Sequence, residues 1–332
     1  MARTEKRTQA AEGTGAAAGL PRRIVYRASG RDRGRRLDHF LKERIPKMSR
    51  ARIQEAIRTR VEIAGRSVRP ATELSEGDEV VVTWPACEEP SGEAPGISIL
   101  HEDPDLLVVD KPAGLLAHAT ASSKGFTLLG ALEAQGRTGL GLVHRLDRET
   151  SGVVVLGRTP EAARALSDAF AAGRARKTYL AVVFGRIGRD EGLIDLPLGA
   201  ARGSAVHIKQ GVDRESGRPA RTRFRVREQL GGFTFLELRP ETGRRHQIRV
   251  HLREAGHPVV GDKLYGPRES HHLRFLASGL DERMRRDLLA DRHLLHAWRL
   301  EIPHPRGGTC TFEAPIPADM IEFVDSRRHP PA

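Results

Sequence analysis

Five apolar runs in the last two-thirds of the chain have the length and β-branched content of strands: Leu106–Val109, Gly152–Leu156, Tyr179–Phe184, Arg221–Val226 and Phe233–Leu238. No regular helix separates each run from the next. A doubly wound sheet needs a crossover helix between successive parallel strands. This order therefore excludes that fold and predicts an α+β domain whose mixed sheet is mostly antiparallel, with flanking helices. Helices are expected over Pro160–Ala172, His246–Ala255 and Asp281–Leu289. No apolar stretch reaches the roughly eighteen residues of a membrane span, and the first residues lack the apolar segment of a secretory signal. The expectation is a cytoplasmic protein with no membrane partner.

Charge divides the chain. The whole carries 55 Lys+Arg against 43 Asp+Glu, a net +12. Residues 1–85 hold a net +8 of this, and the remaining residues only +4. An Arg-rich proteome would raise both parts alike, so the bias favours a dedicated basic module for a polyanion, most often nucleic acid. Cys87 and Cys310 are too few for a disulfide framework and lack zinc-ligand spacing.

Residues 1–20 read as a disordered Ala/Gly/Thr-rich tail, and 86–97, rich in Pro, Gly and Glu, as a linker. Between them, Leu37, Phe40, Leu41 and Ile45 mark one helix face, stopped by Pro46. Ser49 is the expected N-cap of a second helix with Ile53, Ala56 and Ile57 inward. Short strands follow at Val61–Ile63 and Glu79–Thr83. Residues 31–60 carry eleven basic and four acidic side chains, which suits either a phosphate-reading platform or a solvated helical face. The stretches RLDHFL, SRARIQ, VEIAGR and GDEV resemble the RNA-binding domain first described in small-subunit ribosomal protein S-four. That resemblance implies a small α/β domain over 21–85 that binds structured RNA, with Arg36, Lys47, Arg50 and Arg52 as candidate contacts.

Three stretches of the larger domain can carry chemistry. In GLVHRLDRETSG a polar cluster precedes an apolar strand, which puts Asp147 on a loop held by a rigid sheet. Its alternative is a structural ion pair with Arg145 or Arg148. In ETGRRHQIRVHL, Thr242 is the expected N-cap, Ile248 and Leu252 face the core, and Arg245, Arg249 and Arg253 form an i, i+4 line. An arginine on a core-anchored helix can hold a carboxylate with a rigid fork. In KTYLA, Tyr179 enters an apolar strand. The fourteen histidines show no metal-ligand frame, so no metal is expected. No phosphate-binding lysine loop or nucleophile elbow occurs either.

Together HRLDRETSG, KTYLAVV and GRRHQIRVHL…GHPVVGDKLYG resemble the RluA-type pseudouridine synthases. HEDPDLLVVDKPAGLLAH and LLHAWRLEIPHP fit the same family, so the resemblance covers nearly all of 97–325. It implies a catalytic domain over 98–325 followed by a short tail from 326. It also implies isomerisation of a uridine within RNA to pseudouridine, without a cofactor. Asp147 is then the essential carboxylate, Arg249 its ion-pair partner and Tyr179 the active-site tyrosine. Arg145 would fill the space left by an extruded base, and His144 beside it is a further candidate RNA contact. The domain order points to large-subunit ribosomal RNA or its precursor particle, with transfer RNA open and a monomer as the default. Two departures stand out: Arg245 replaces a small residue, and Ala117-His118-Ala119-Thr120 replaces a VHP-type sequence. Competing readings are a non-catalytic RNA-binding or ribosome-assembly factor, and an RNA methyltransferase using Gly139-Leu140-Gly141. The latter leads into HRLD rather than opening a helix.

Overall fold

All five expected strands form, and each extends beyond the apolar run that signals it. The computed structural model describes residues 22–45, 48, 50–84, 94–118, 126–204, 206, 208–268 and 270–328. They divide into two units, 22–84 and 94–118 with 126–328. The expected tail over 1–20, the Pro46 stop, the Ser49 cap, Lys47, Cys87 and residues 86–93 of the expected linker lie outside the described residues.

The first unit runs β1 (Arg22–Arg27), α1 (Leu37–Arg44), α2 (Arg50–Arg60), β2 (Val61–Ile63), β3 (Arg66–Ser67) and β4 (Glu79–Trp84). Its antiparallel sheet has the order β1-β4-β2-β3. The i, i+3, i+4 spacing does what it predicts: Leu37, Phe40 and Leu41 of α1 and Ile53 and Ile57 of α2 are buried with Val61, Val80 and Val82. Ala64 and Gly65, both at positive φ (50° and 72°), make the tight turn between β2 and β3.

The second unit runs β5 (Ser98–Glu102), β6 (Leu106–Lys111), α3 (Leu128–Ala134), β7 (Gly141–Leu142), β8 (Ser151–Gly157), α4 (Pro160–Ala171), β9 (Arg176–Phe184), β10 (Glu191–Asp195), β11 (Leu198–Ala200), β12 (Gln210–Val212), β13 (Arg221–Leu230), β14 (Phe233–Pro240), α5 (Gln247–Glu254), α6 (Ser270–Ser278), α7 (Glu282–Leu288), β15 (Leu295–Pro303), β16 (Thr309–Glu313) and α8 (Ala318–Arg328). Its ten-stranded sheet has the order β10-β13-β14-β9-β15-β8-β6-β5, with β16 beside β15 and β7 beside β8.

The central strands are apolar without alternation because both sheet faces are covered. Val154 and Leu156 of β8 pack with α3, whereas Val153 and Val155 pack with Leu166 of α4. Likewise Ala181 and Val183 of β9 meet α5, and Leu180 and Val182 meet α8. Every described pairing in this sheet is antiparallel except one, where β15 meets β8 at His296–Ser151 and Ala297–Gly152. Gly152 is required there. Its φ is +115°, and a Cβ would lie 2.2 Å from the Ala297 carbonyl oxygen.

Four expectations need correction. Thr242 does not cap α5. His246 occupies the N-cap with left-handed backbone (φ 56°), and the Thr242 hydroxyl instead donates to Gln247 Oε1 at 2.7 Å. The arginine line also dissolves, because Arg245 precedes the helix and is exposed, while Arg249 is buried. At the C-terminus α8 continues to Arg328, whose Nε donates to Glu228 Oε1 at 2.7 Å, so the tail does not begin at 326. Ala94 and Ile97, expected in the linker, pack on the core of the second unit. No described helix is long and apolar enough to cross a membrane.

Candidate active site

The loop before β8 is fastened at the residues on the C-terminal side of Asp147. The Arg148 carbonyl accepts from Gly114 N at 2.8 Å and from Lys111 Nζ at 3.3 Å. Glu149 takes the Lys263 ammonium at 2.6 Å, Thr150 shares a 2.7 Å hydrogen bond with His293, and Ser151 a 2.9 Å bond with His296 Nδ1. The run RETSG is therefore a set of anchors, and Asp147 is what they present.

Asp147 lies at the floor of a cleft of about 100 Å³ lined also by Arg145, Lys177, Tyr179, Arg244 and His246. Its Oδ2 accepts from Arg249 Nη1 at 2.8 Å. The remaining guanidinium edge of Arg249 is committed: Nε and Nη2 donate to the two oxygens of Asp262 at 2.7 and 2.8 Å. Asp262 is fully buried, and its Oδ1 also accepts the Leu264 and Tyr265 N–H groups, both at 2.9 Å. One arginine thus bridges a structural carboxylate and an open one. The Tyr265 ring, 5.0 Å from the guanidinium, covers it.

This arrangement decides the charge state. Burial pushes the Asp147 carboxyl upward, but the charge and hydrogen bond of Arg249, together with the charges that His246 and His293 carry in acid, outweigh it and hold the group below the ordinary carboxylate range. Asp262 is depressed in the same way, against a larger burial. His246 adds no cation at neutral pH, because burial lowers it to about 4. The Tyr265 hydroxyl accepts from Gln210 N at 2.8 Å and shares a 2.7 Å hydrogen bond with His246 Nδ1. The other ring nitrogen, Nε2, lies 3.8 Å from Asp147 Oδ1. His293 is also held neutral by burial. Tyr179 packs between two cores beside Asp147, and burial together with that carboxylate raises its phenol well above the usual value.

The chain has detailed counterparts. Residues 105–254 match the family described as RNA pseudouridylate synthase. An uncharacterized RNA pseudouridine synthase of Chloroflexus aurantiacus is 39% identical over 86% of this chain and 87% of its own length. The chain belongs to the RNA pseudouridine synthase family. Ribosomal large subunit pseudouridine synthase D of Yersinia pestis is 36% identical, over 88% of this chain and 91% of that one. The structure of human RNA pseudouridylate synthase domain containing 1 superposes with a TM-score of 0.55 at 26% identity, covering 72% of this chain and 98% of that chain. Membership makes the protein an isomerase that converts uridine in RNA to pseudouridine.

Of the residues singled out from sequence, Asp147, Arg249, Tyr179 and Arg145 line one cleft. Arg145 is exposed and has no hydrogen bond or ion pair among the described residues. His144 does not line the cleft. Its Nε2 accepts the Val155 N–H at 3.0 Å, its ring stacks on Phe170 at 4.5 Å, and burial lowers it to about 3, so it is structural. Asp262 and His246 were quoted within motifs but given no role, since nothing in their spacing separates a clamp from a surface turn.

Lys111 was likewise unassigned. It is wholly buried and donates to the carbonyls of Pro112, Leu115 and Arg148. Asp103, Asp105 and His304 converge within 4.8 Å, but none lines the cleft. Asp103 is already taken by His101, His304 and two backbone N–H groups, and Asp105 by Arg306.

In the first unit Arg36 and Arg50 converge on buried Asp38. Arg36 reaches it at 3.1 Å through Nε and 3.2 Å through Nη2, Arg50 at 3.3 Å and Gln54 at 2.9 Å. Both guanidinium groups stay exposed, 44% and 59%, so they are pinned in place yet accessible. The Arg52 side chain lies outside the described residues.

Proposed function

We propose that the protein isomerises specific uridines of structured large-subunit ribosomal RNA, a reading supported by its likeness to the Yersinia ribosomal large subunit pseudouridine synthase, and that Asp147 is the group that performs the reaction. The observation carrying this reading is an ionised carboxylate at the floor of an open cleft, on an arginine whose other edge is locked to Asp262. The target nucleotide leaves its stack, at a cost of a few kcal/mol, and brings its sugar to Asp147. The carboxylate then attacks C1′, displacing N1 and forming an ester that C5 of the turned uracil displaces in its turn, or it removes the C2′ proton, which expels N1 and is returned to C2′ as C5 bonds to C1′; in both routes C5 then loses its proton and N1 gains one. No water is activated, so one carboxylate suffices where a glycoside hydrolase uses two. The chemistry calls for no cofactor or metal.

Arg249 keeps Asp147 charged as the cleft dries. Tyr179 stacks on the base, and its hydroxyl, protonated throughout the working range, passes the C5 proton on toward N1 by giving up its own proton as it takes that one. Arg145, with no other partner among the described residues, occupies the gap in the RNA. Residues 21–85 act as the S-four-type module, with Arg36 and Arg50 on phosphates. The protein works as a cytoplasmic monomer on the RNA or its precursor particle.

The test is pseudouridine mapping on unmodified large-subunit ribosomal RNA and on bulk unmodified transfer RNA, with the wild type and Asp147→Asn. Product at discrete ribosomal positions, lost in the variant, is expected. Turnover retained by Asp147→Asn refutes the site, and product in transfer RNA alone refutes the substrate.

A further inference from the structure

Lys177 is a cation that the reaction as described does not use. It stands two residues before Tyr179 on β9 and lines the cleft. Among the described residues its ammonium has no hydrogen bond and no ion pair. The Phe170 ring lies 5.9 Å from it. Burial lowers its pKa, with no carboxylate to oppose the effect. A largely dehydrated ammonium without an acceptor is unfavourable unless an anion arrives with the substrate. Gly243 stands beside it, and a Cβ at that position would already be in van der Waals contact with the Lys177 nitrogen, at 3.6 Å.

Lys177 also lines a second concavity, a trough of about 390 Å³ that shares Lys177 and Pro240 with the cleft. The sheet explains its lining. Arg223 of β13 pairs with Arg239 of β14, which lies one residue beyond the Leu238–Tyr179 pair, and Thr178 of β9 pairs with Arg299 of β15. Register therefore sets Arg223, Arg239 and Arg299 in one row across four adjacent strands. At the usual strand spacing the row spans about 14 Å. Each arginine has a glutamate partner: Glu241 at 2.6 Å, Glu237 at 2.8 Å and Glu313 at 2.5 Å. Exposed pairs of this kind are weak, and a guanidinium has five N–H donors, so each retains donors for a further anion.

We propose that the RNA strand on one side of the target uridine leaves the cleft over Lys177, which holds a backbone phosphate at the junction, and runs through the trough along Arg239, Arg223 and Arg299. This rests on the reading of the cleft as the site of an RNA isomerase. It adds a strand path and a phosphate seat separate from the reacting atoms. Lys177 is a positioning residue and touches no bond that changes.

The experiment uses the full chain and two probes: a fluorescent fifteen-residue oligouridylate for binding, and unmodified large-subunit ribosomal RNA for turnover. Log Kd rises against log salt with a slope of about 0.7 per single-strand phosphate contact. Lys177→Met is expected to flatten that slope by about 0.7 and Arg223→Gln/Arg239→Gln by about 1.4. Lys177→Met raises KM at least tenfold, with kcat within threefold of wild type. Lys177→Arg, which keeps the charge, retains the slope and shows that the site is intact. Slopes within 0.3 of wild type in both the Lys177→Met and the double variant would overturn the path. A fall in kcat at unchanged KM for Lys177→Met would overturn its role as a phosphate seat. Asp147→Asn keeps its slope while losing turnover. If that variant stays active, the reading of the cleft fails on its own account, whereas the slopes still report on the path.

Discussion

Two aspartates share Arg249, and the structure assigns them opposite burdens. Asp262 is fully buried, takes both Nε and Nη2, and accepts two further backbone N–H groups. Asn at this position turns an N–H group toward Arg249 and leaves a buried guanidinium with half its anionic support. Breaking a buried pair from one side costs about 3–5 kcal/mol. At about 2–4 °C per kcal/mol for a unit of this size, Asp262→Asn should lower Tm by about 6–20 °C. Because Arg249 would then shift relative to Asp147, and about 1 Å of misplacement costs roughly a hundredfold in rate, turnover should fall by that order.

Asp147→Asn is the mirror case. The amide oxygen still accepts from Nη1, Asp262 still holds the arginine, and the side chain is 28% exposed. Its stability should stay within about 1 kcal/mol of wild type while product formation disappears. Differential scanning calorimetry and a single-turnover pseudouridine assay on the same preparations measure both quantities. Equal Tm losses in the two variants, or an unchanged Tm in Asp262→Asn, would refute the division of labour. The pH dependence has a definite sign. The folded pKa of Asp262 is depressed, so its stabilisation is present above the unfolded value near 4 and is lost as pH falls below it.

Three further outcomes follow from the same geometry. Tyr179→Phe removes a hydroxyl that has no hydrogen bond among the described residues, so Tm should move by less than about 3 °C; single-turnover rate should fall at least about a hundredfold if the hydroxyl relays a proton. Burial holds His144, His246 and His296 at about 3, 4 and 4, so all three are neutral in the folded protein at pH 7 and must take up protons on acid unfolding. Their stabilisation is complete above the unfolded value near 6.5 and is lost as pH falls toward 4, each adding about 1.4 kcal/mol per pH unit, so a circular dichroism acid titration should show unfolding steeper than one proton between pH 6 and 4. Gly152→Ala forces a Cβ into the Ala297 carbonyl at the β8–β15 junction, and should cut the yield of folded protein or lower Tm by more than 10 °C where a surface Gly→Ala, such as Gly232→Ala, does not.

The fold was legible wherever burial is symmetrical. Runs such as LLVV and GVVVL are apolar at every position because helices cover both faces, and that signal survives without knowledge of the neighbours. Strands at the rim gave no such signal. Gln210–Val212 of β12 and Leu198–Ala200 of β11 are three residues long and half-buried, so they carry no period to detect. α8 escaped for a different reason. It buries only Met320, Phe323 and Val324 of its eleven residues and follows a proline-rich stretch, so its composition reads as a tail. The Thr242 cap failed because chain direction at α5 is set by His246 in a left-handed conformation, a choice made by the bond to Tyr265 rather than by local propensity.

The same distinction explains what was visible of the site. Asp147, Tyr179 and Arg249 stand within ordered motifs, and the resemblance reads those motifs directly. Asp262 lies in one of the quoted motifs too, but its function exists only once β8, α5 and the loop at 262–265 are brought together across more than a hundred residues. His144 shows the converse error. It sits beside Arg145 in sequence, yet Arg145 lines the cleft whereas His144 meets the Val155 N–H. A motif therefore identifies the chemistry, and the sheet order decides which of its letters touch substrate. In this protein the deciding contact is the parallel meeting of β15 with β8. It brings His293 and His296 onto Thr150 and Ser151 and so fixes the loop from which Asp147 reaches the cleft.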